Sequence, residues 1–222
     1  SKINTLKKRK KNKLNFISSY SHFKFYRFLN KKIPSHIVFK PEFKLLPIIY
    51  NYCVREKINL SILLKSDKIQ EKSFYIKILQ KHLKLNNNKY LKFHQKSKGK
   101  TSYEIIKNFD TIVSIDSSLG IEAINFNVKS IFFNVRGKFF NNKNFEFGWP
   151  KNFKKQGFCW SNQLSENKII NILQKNLNLS IKEWKFKAMK NNFNKIIFYD
   201  YKNKHTINLL NNIFCLKKNK SS

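Results

Sequence analysis

"DTIVSIDSSLGIEAINFNVKSIFFN", residues 110–134, holds two apolar runs with one short helical pattern between them. The first run, from Thr111 to Ile115, is rich in β-branched residues and stops at Asp116. Ser117, Ser118, Leu119 and Gly120 form a small-residue turn. Helical spacing follows and breaks at Asn125 to Asn127, and a second apolar run begins at Lys129. Strand, turn, helix and strand in so short a span predict one unit of a parallel sheet with its crossover.

The same alternation extends on both sides. "HIVFK" (36–40) reads as a short strand, and "PEFKLLPIIYNYCVREK" (41–57) as a helix with Pro41 in its first turn and Pro47 disturbing its first half. "NLSILLK" (59–65) reads as a strand and 66–83 as a loop and helix. "KYLKFHQ" (89–95) is a further strand, followed by a helix capped by Thr101 or Ser102 with Glu104 early in it. Residues 136–163 carry Gly137, Gly148, Pro150, Gly157 and many aromatics, and read as a long functional loop. Helices are expected at about 165–177, 180–199 and 201–216. Dense apolar strand centres mark strands buried on both faces. The expected fold class is therefore α/β, a Rossmann-like, mostly parallel sheet with helices on both faces and C-terminal helices packing back. The domain is expected over 35–216, after a basic segment at 1–34, partly disordered or a remnant, and before a short tail at 217–222.

The chain has 222 residues, 41% hydrophobic and 15% aromatic, which suits one domain with a real core. Its net charge of +34 favours anionic partners: nucleotide diphosphates, anionic lipid or nucleic acid. Abundant Lys beside abundant Asn also fits an AT-rich coding bias, and the lysines are scattered rather than grouped into a nucleic-acid motif. The run "KKRKKNK" (7–13) reads first as a solvated tail and second as membrane-surface attraction. Cys53, Cys159 and Cys215 are too far apart for a ligand pair and read as reduced thiols of a cytoplasmic protein. The five histidines show no metal-ligand spacing, so no metal site is expected. No apolar stretch approaches the roughly 20 residues of a membrane span.

The candidate site is the turn at the end of the 110–116 strand. Ligands of open α/β sheets bind outside the carboxyl ends of the strands. A helix starting there points amide N–H groups outward and makes an anion site, to which Ser117 and Ser118 add hydroxyls. Gly120 permits close approach to a ligand or to the neighbouring strand. Glu122 could accept from ribose hydroxyls. Each residue also has a plain structural reading: Asp and Ser are ordinary N-caps, and an acid suits a first turn.

This segment resembles the donor-binding half of GT-B-type glycosyltransferases, above all bacterial surface-carbohydrate biosynthesis proteins with a "TDSSLGYEAL"-like turn. "FGWP" (147–150) and "GFCW" (157–160) are similar to that family's downstream segment, and 196–210 to its C-terminal helix. The likeness covers roughly 35–215 and is specific over about 110–160. It implies that Ser117, Ser118, Leu119 and Gly120 hold a nucleotide phosphate, that Glu122 meets the ribose, and that Asp116 orients the loop or contacts the sugar. It also implies that Arg136 meets phosphate or an acidic sugar. Lys65 stands where related enzymes often carry a Lys-Pro-His-Pro-like loop, without the His and Pro. Ile121 replaces a frequent Tyr, and Asn127-Val128 a small-Gly pair. Trp149 and Trp160 either stack on a base or sugar or pack the loop.

The resemblance implies a glycosyltransferase of surface polysaccharide synthesis, or only its donor-binding half, metal-independent and without a cofactor, the nucleotide-sugar being a substrate. Its expected partners are that donor, a glycan or lipid-linked acceptor, the anionic inner face of the cytoplasmic membrane, and a subunit supplying an N-terminal GT-B domain. No residue is assigned as catalytic base. Nucleic-acid binding on an α/β scaffold and an inactive truncated transferase half are the alternatives.

Overall fold

The computed structural model describes residues 13–20, 25–28, 31–66, 68–86, 89–94, 101–148 and 153–193. In chain order these form β1 (Lys13–Ile17), β2 (Phe25–Phe28), β3 (Lys31–Pro34), α1 (Ser35–Val38), α2 (Lys40–Arg55), β4 (Asn59–Leu63), α3 (Ile69–Asn86) and β5 (Leu91–His94). Then come α4 (Ser102–Ile106), β6 (Thr111–Ser114), α5 (Ser118–Glu122), β7 (Lys129–Phe132), α6 (Arg136–Phe140), α7 (Glu166–Asn178) and α8 (Ile181–Lys190). A 3-10 turn, Ala123–Phe126, continues α5 without a break. Another, Lys143–Phe145, follows α6.

The main sheet has the strand order β5-β4-β1-β6-β7, and every pairing in it is parallel. That is the α/β, Rossmann-like sheet expected from the strand–helix alternation. β2 and β3 form a separate antiparallel pair.

The middle strand is β1, which lies inside the segment expected to stand outside the domain. Leu14 and Phe16 are fully buried, and Phe16 lies in register with Ile62 on β4 and Val113 on β6. The domain therefore includes at least residues 13–17. Three apolar residues in a five-residue strand set among lysines give too short a pattern to distinguish a buried strand from a tail.

The expected strand at 36–40 is helical instead, spanning α1 and the start of α2. The run is too short for its period to decide, and Pro41 at the first turn favours helix. α2 runs through Pro47 unbroken. A mid-helix proline costs about 3 kcal/mol. Full burial of Leu45, Leu46, Ile49, Tyr50 and Cys53 on one face offsets that cost. Of the two expected caps Thr101 is the one used, in a capping box with Glu104. The long 136–163 loop contains α6 and a 3-10 turn, and Trp160 adds a parallel bridge beside Phe132 on β7. α7 and α8 match the two expected helices, α8 ending earlier, while the helix expected at 201–216 and Cys215 lie outside the described residues.

Lys129 is 6% exposed on β7, and its ammonium donates to the carbonyls of Asn176 (3.0 Å) and Leu179 (2.8 Å) at the end of α7. A cation there satisfies carbonyls that the helix cannot and meets its negative dipole end. Lys129→Met should cost about 1.5–3 kcal/mol, read as a shift in urea midpoint. A loss no larger than that of an exposed lysine such as Lys77 would refute the role.

Candidate functional site

The strand order reverses direction at β1, with β4 and β5 on one side and β6 and β7 on the other. Such a switch point opens a crevice at the carboxyl ends of the two strands that diverge. Here those ends carry Ser18 and Ser19 after β1, and Asp116, Ser117 and Ser118 after β6.

Beneath the crevice lies a buried polar network. The Arg136 guanidinium, at the start of α6, donates through Nε to Asp116 at 2.5 Å and through Nη2 to Glu42 at 2.9 Å. Its Nη1 donates to the Val38 carbonyl. Arg136 and Glu42 are almost wholly enclosed, while the Asp116 side chain is about one-fifth exposed. The Ser19 hydroxyl donates to Glu42, whose second oxygen has no partner among the described residues. Burial pushes the Glu42 carboxyl above its ordinary range, and the Arg136 charge opposes that rise.

A second set of bonds adjoins the first. The Ser19 amide donates to the Tyr75 hydroxyl (3.2 Å), Tyr75 donates to Ser18 (2.9 Å), and Ser18 donates to the Glu71 carboxylate. Glu71 also accepts from the amides of Lys65 (2.9 Å) and Ser66 (3.0 Å), which fixes the loop after β4. Burial drives the Tyr75 hydroxyl upward, so it stays a donor.

The turn itself sits above this base. Ser117 occupies the N-cap position of α5 but makes no side-chain cap bond. Its amide donates to the Ser114 hydroxyl at 3.0 Å. The amides of Ser118 and Leu119 and the hydroxyls of Ser117 and Ser118 find no partner among the described residues. The capping role open to these serines is thus not the one they perform. Leu119 packs into the cluster of Ile17, Ile106 and Ala123. Gly120 serves packing: a Cβ there would stand 2.7 Å from that of Ser114 and 3.2 Å from the Phe132 ring. That brings α5 tightly onto β6 and β7, the helix–strand approach that only glycine allows.

Other expected residues fall elsewhere. Arg136, read as a phosphate ligand, holds Asp116 and Glu42 of its own chain instead. Glu122 lies near Tyr103 of α4, whose hydroxyl its carboxylate holds above the ordinary phenol range, and one of its oxygens is buried without a partner among the described residues. Lys65 is exposed after β4, separated from the turn by β1. Trp160 is 3% exposed, stacked on Phe147 at 5.1 Å and edge-on to Phe153, with its indole N–H on the Lys154 carbonyl. A ring so enclosed among aromatics packs the loop, the second of its two expected roles. Trp149 lies outside the described residues.

Sequence reading missed Ser18, Ser19, Glu42, Glu71 and Tyr75. The available signal was "LNFISSY" (14–20), an apolar run ended by two serines like "TIVSIDSS" (111–118). With only 12 acidic residues in the chain, Glu42 and Glu71 inside apolar helical patterns were a second signal.

Among the described residues no helix is long and apolar enough to cross a membrane. A family model described as "putative O-antigen biosynthesis protein" matches residues 1–214. Searches of curated proteins and of solved structures return no match.

Proposed function

We propose, from the premise that the chain belongs to this O-antigen biosynthesis family, that it binds a nucleotide-sugar at the switch-point turn and serves as the donor-binding half of a glycosyltransferase. The observation that carries this reading is the turn from Ser117 to Leu119. It lies at the carboxyl edge of a parallel sheet, and the amides of Ser118 and Leu119 and both serine hydroxyls have no partner among the described residues. Two amides and two hydroxyls at a helix start are donors of the kind that suits a phosphate. The Asp116–Arg136–Glu42 network then acts as a rigid base that sets the turn's position, with Arg136 positioning rather than touching the donor. Sugar transfer needs the phosphate leaving group stabilised as its negative charge grows, and preorganised amides do this without rearrangement. The second wall of the cleft, with acceptor and general base, would come from a further domain or partner.

Calorimetric titration with CDP, UDP, GDP and CMP tests the reading. One of them should bind with a dissociation constant well below about 1 mM, and Ser118→Trp should weaken that binding by about a hundredfold or more. Absence of binding, or equal affinity in the variant, would rule it out.

A further inference from the structure

The outward face of α8 carries bulky apolar side chains among lysines. Trp184 and Ala188 are buried and fix how the helix is turned. The Trp184 ring packs against Phe158 at 5.6 Å and Phe193 at 5.9 Å. At the helical period, positions 182, 186 and 189 then point away from the protein. Phe186 and Met189 stand there, each 61% exposed. One exposed apolar side chain is ordinary on a surface, but two bulky ones a turn apart form a patch.

Lysines frame that patch. Lys182 lies one turn before Phe186, Lys185 and Lys190 lie on either side of it, and all three are exposed. The Lys190 ammonium sits over the Phe186 ring at 4.6 Å, and Lys185 reaches the Asn127 side chain. The one acid of the helix, Glu183, accepts from the Ser180 amide at 2.7 Å in a capping box, at the end opposite Met189 and Lys190.

We propose that this face of α8 docks on an anionic lipid bilayer, with the helix lying along the interface. The ring and the thioether enter among the acyl chains, while the lysine stems stretch up to the lipid phosphates. The positive charge of the face complements the negative surface of such a bilayer. Among the described residues no helix is long and apolar enough to cross a membrane, and α8 is only about 15 Å long, so it lies on the bilayer. Lipid is favoured over nucleic acid because Met189 has no ring to stack on a base, yet it can enter lipid beside Phe186. None of these residues belongs to the switch-point turn, and the docking does not rest on nucleotide binding.

Co-sedimentation of the full chain with vesicles tests this, with phosphatidylcholine alone and phosphatidylcholine mixed with phosphatidylglycerol, at fixed ionic strength. The chain should partition onto the mixed vesicles and only weakly onto the neutral ones. Phe186→Ser/Met189→Ser should weaken that partition about tenfold or more. Lys182→Gln/Lys190→Gln should weaken it about twentyfold, near fivefold for each charge. α8 packs on β7 at one edge of the sheet, whereas α3 connects β4 to β5 at the other. Lys77→Gln/Lys81→Gln and Ile69→Ser, all at exposed positions of α3, should therefore stay within about twofold of the parent chain. Ser118→Trp should lose nucleotide binding and keep the vesicles, which separates this docking from the nucleotide site. Equal losses in the α8 and α3 lysine variants would reduce the effect to attraction by the chain's general positive charge and overturn the proposal. So would a partition unchanged in Phe186→Ser/Met189→Ser, or tighter binding to single-stranded RNA with the same dependence on Phe186.

Discussion

Arg136→Met should remove about 3–5 kcal/mol of folding stability, a large share of the 5–15 kcal/mol typical of a domain. The methionine can fill the space of the arginine stem. It leaves Glu42 enclosed with no counter-charge and frees the Val38 carbonyl as well. The loss should also depend on pH. In the unfolded chain Glu42 titrates near its ordinary 4.5, and burial holds the folded value above that. A group whose folded value is raised contributes most stability below the unfolded value, and that contribution is lost as pH rises through the folded one. Arg136 opposes the rise by charge and by hydrogen bond. Without it the folded value moves further up, and the falling window widens. The variant's deficit should therefore be clearly larger near pH 8 than near pH 5, and Glu42→Gln in the same background should recover part of it. Urea denaturation at both pH values decides the matter. A deficit below about 1 kcal/mol, or one equal at both pH values, would show that the pair carries no such weight.

Phe16→Ala should cost about 3–5 kcal/mol, since it deletes a large buried ring with little chance of collapse around the gap. Phe16 is fully enclosed on the central strand, between β4 and β6, with Tyr75 edge-on at 6.2 Å. Lys13→Ala, at the exposed first residue of the same strand, should stay within about 0.5 kcal/mol. Equal midpoints for the two variants would mean that β1 is not the middle of the folded sheet. Because Ser18 and Ser19 follow β1 directly, a partial loss of β1 pairing would loosen the Tyr75 and Glu42 bonds at the crevice too.

The local patterns decided much of this molecule. Dense apolar runs at 59–65 and 110–116, each followed by turn residues and a helical period, specify buried parallel strands because alternation is absent and crossovers are long enough. Thr101 and Glu104 announce their capping box by spacing alone. The turn at 116–120 was readable as a strand end because small and acidic residues break an apolar run.

What a line of residues cannot express is which strands become neighbours. Only the tertiary structure makes 13–17 the central strand, because its burial comes from β4 and β6, which lie far away in sequence. The same packing turned Arg136 from an apparent phosphate ligand into the counter-ion of Glu42, 94 residues distant. It enclosed Trp160 among aromatics and showed Gly120 to be a packing glycine. The sequence by itself determined four of the main sheet's five strands and the place where β6 ends. Desolvation determined the roles, since a charge or ring buried on folding must satisfy itself with whatever neighbour the sheet brings.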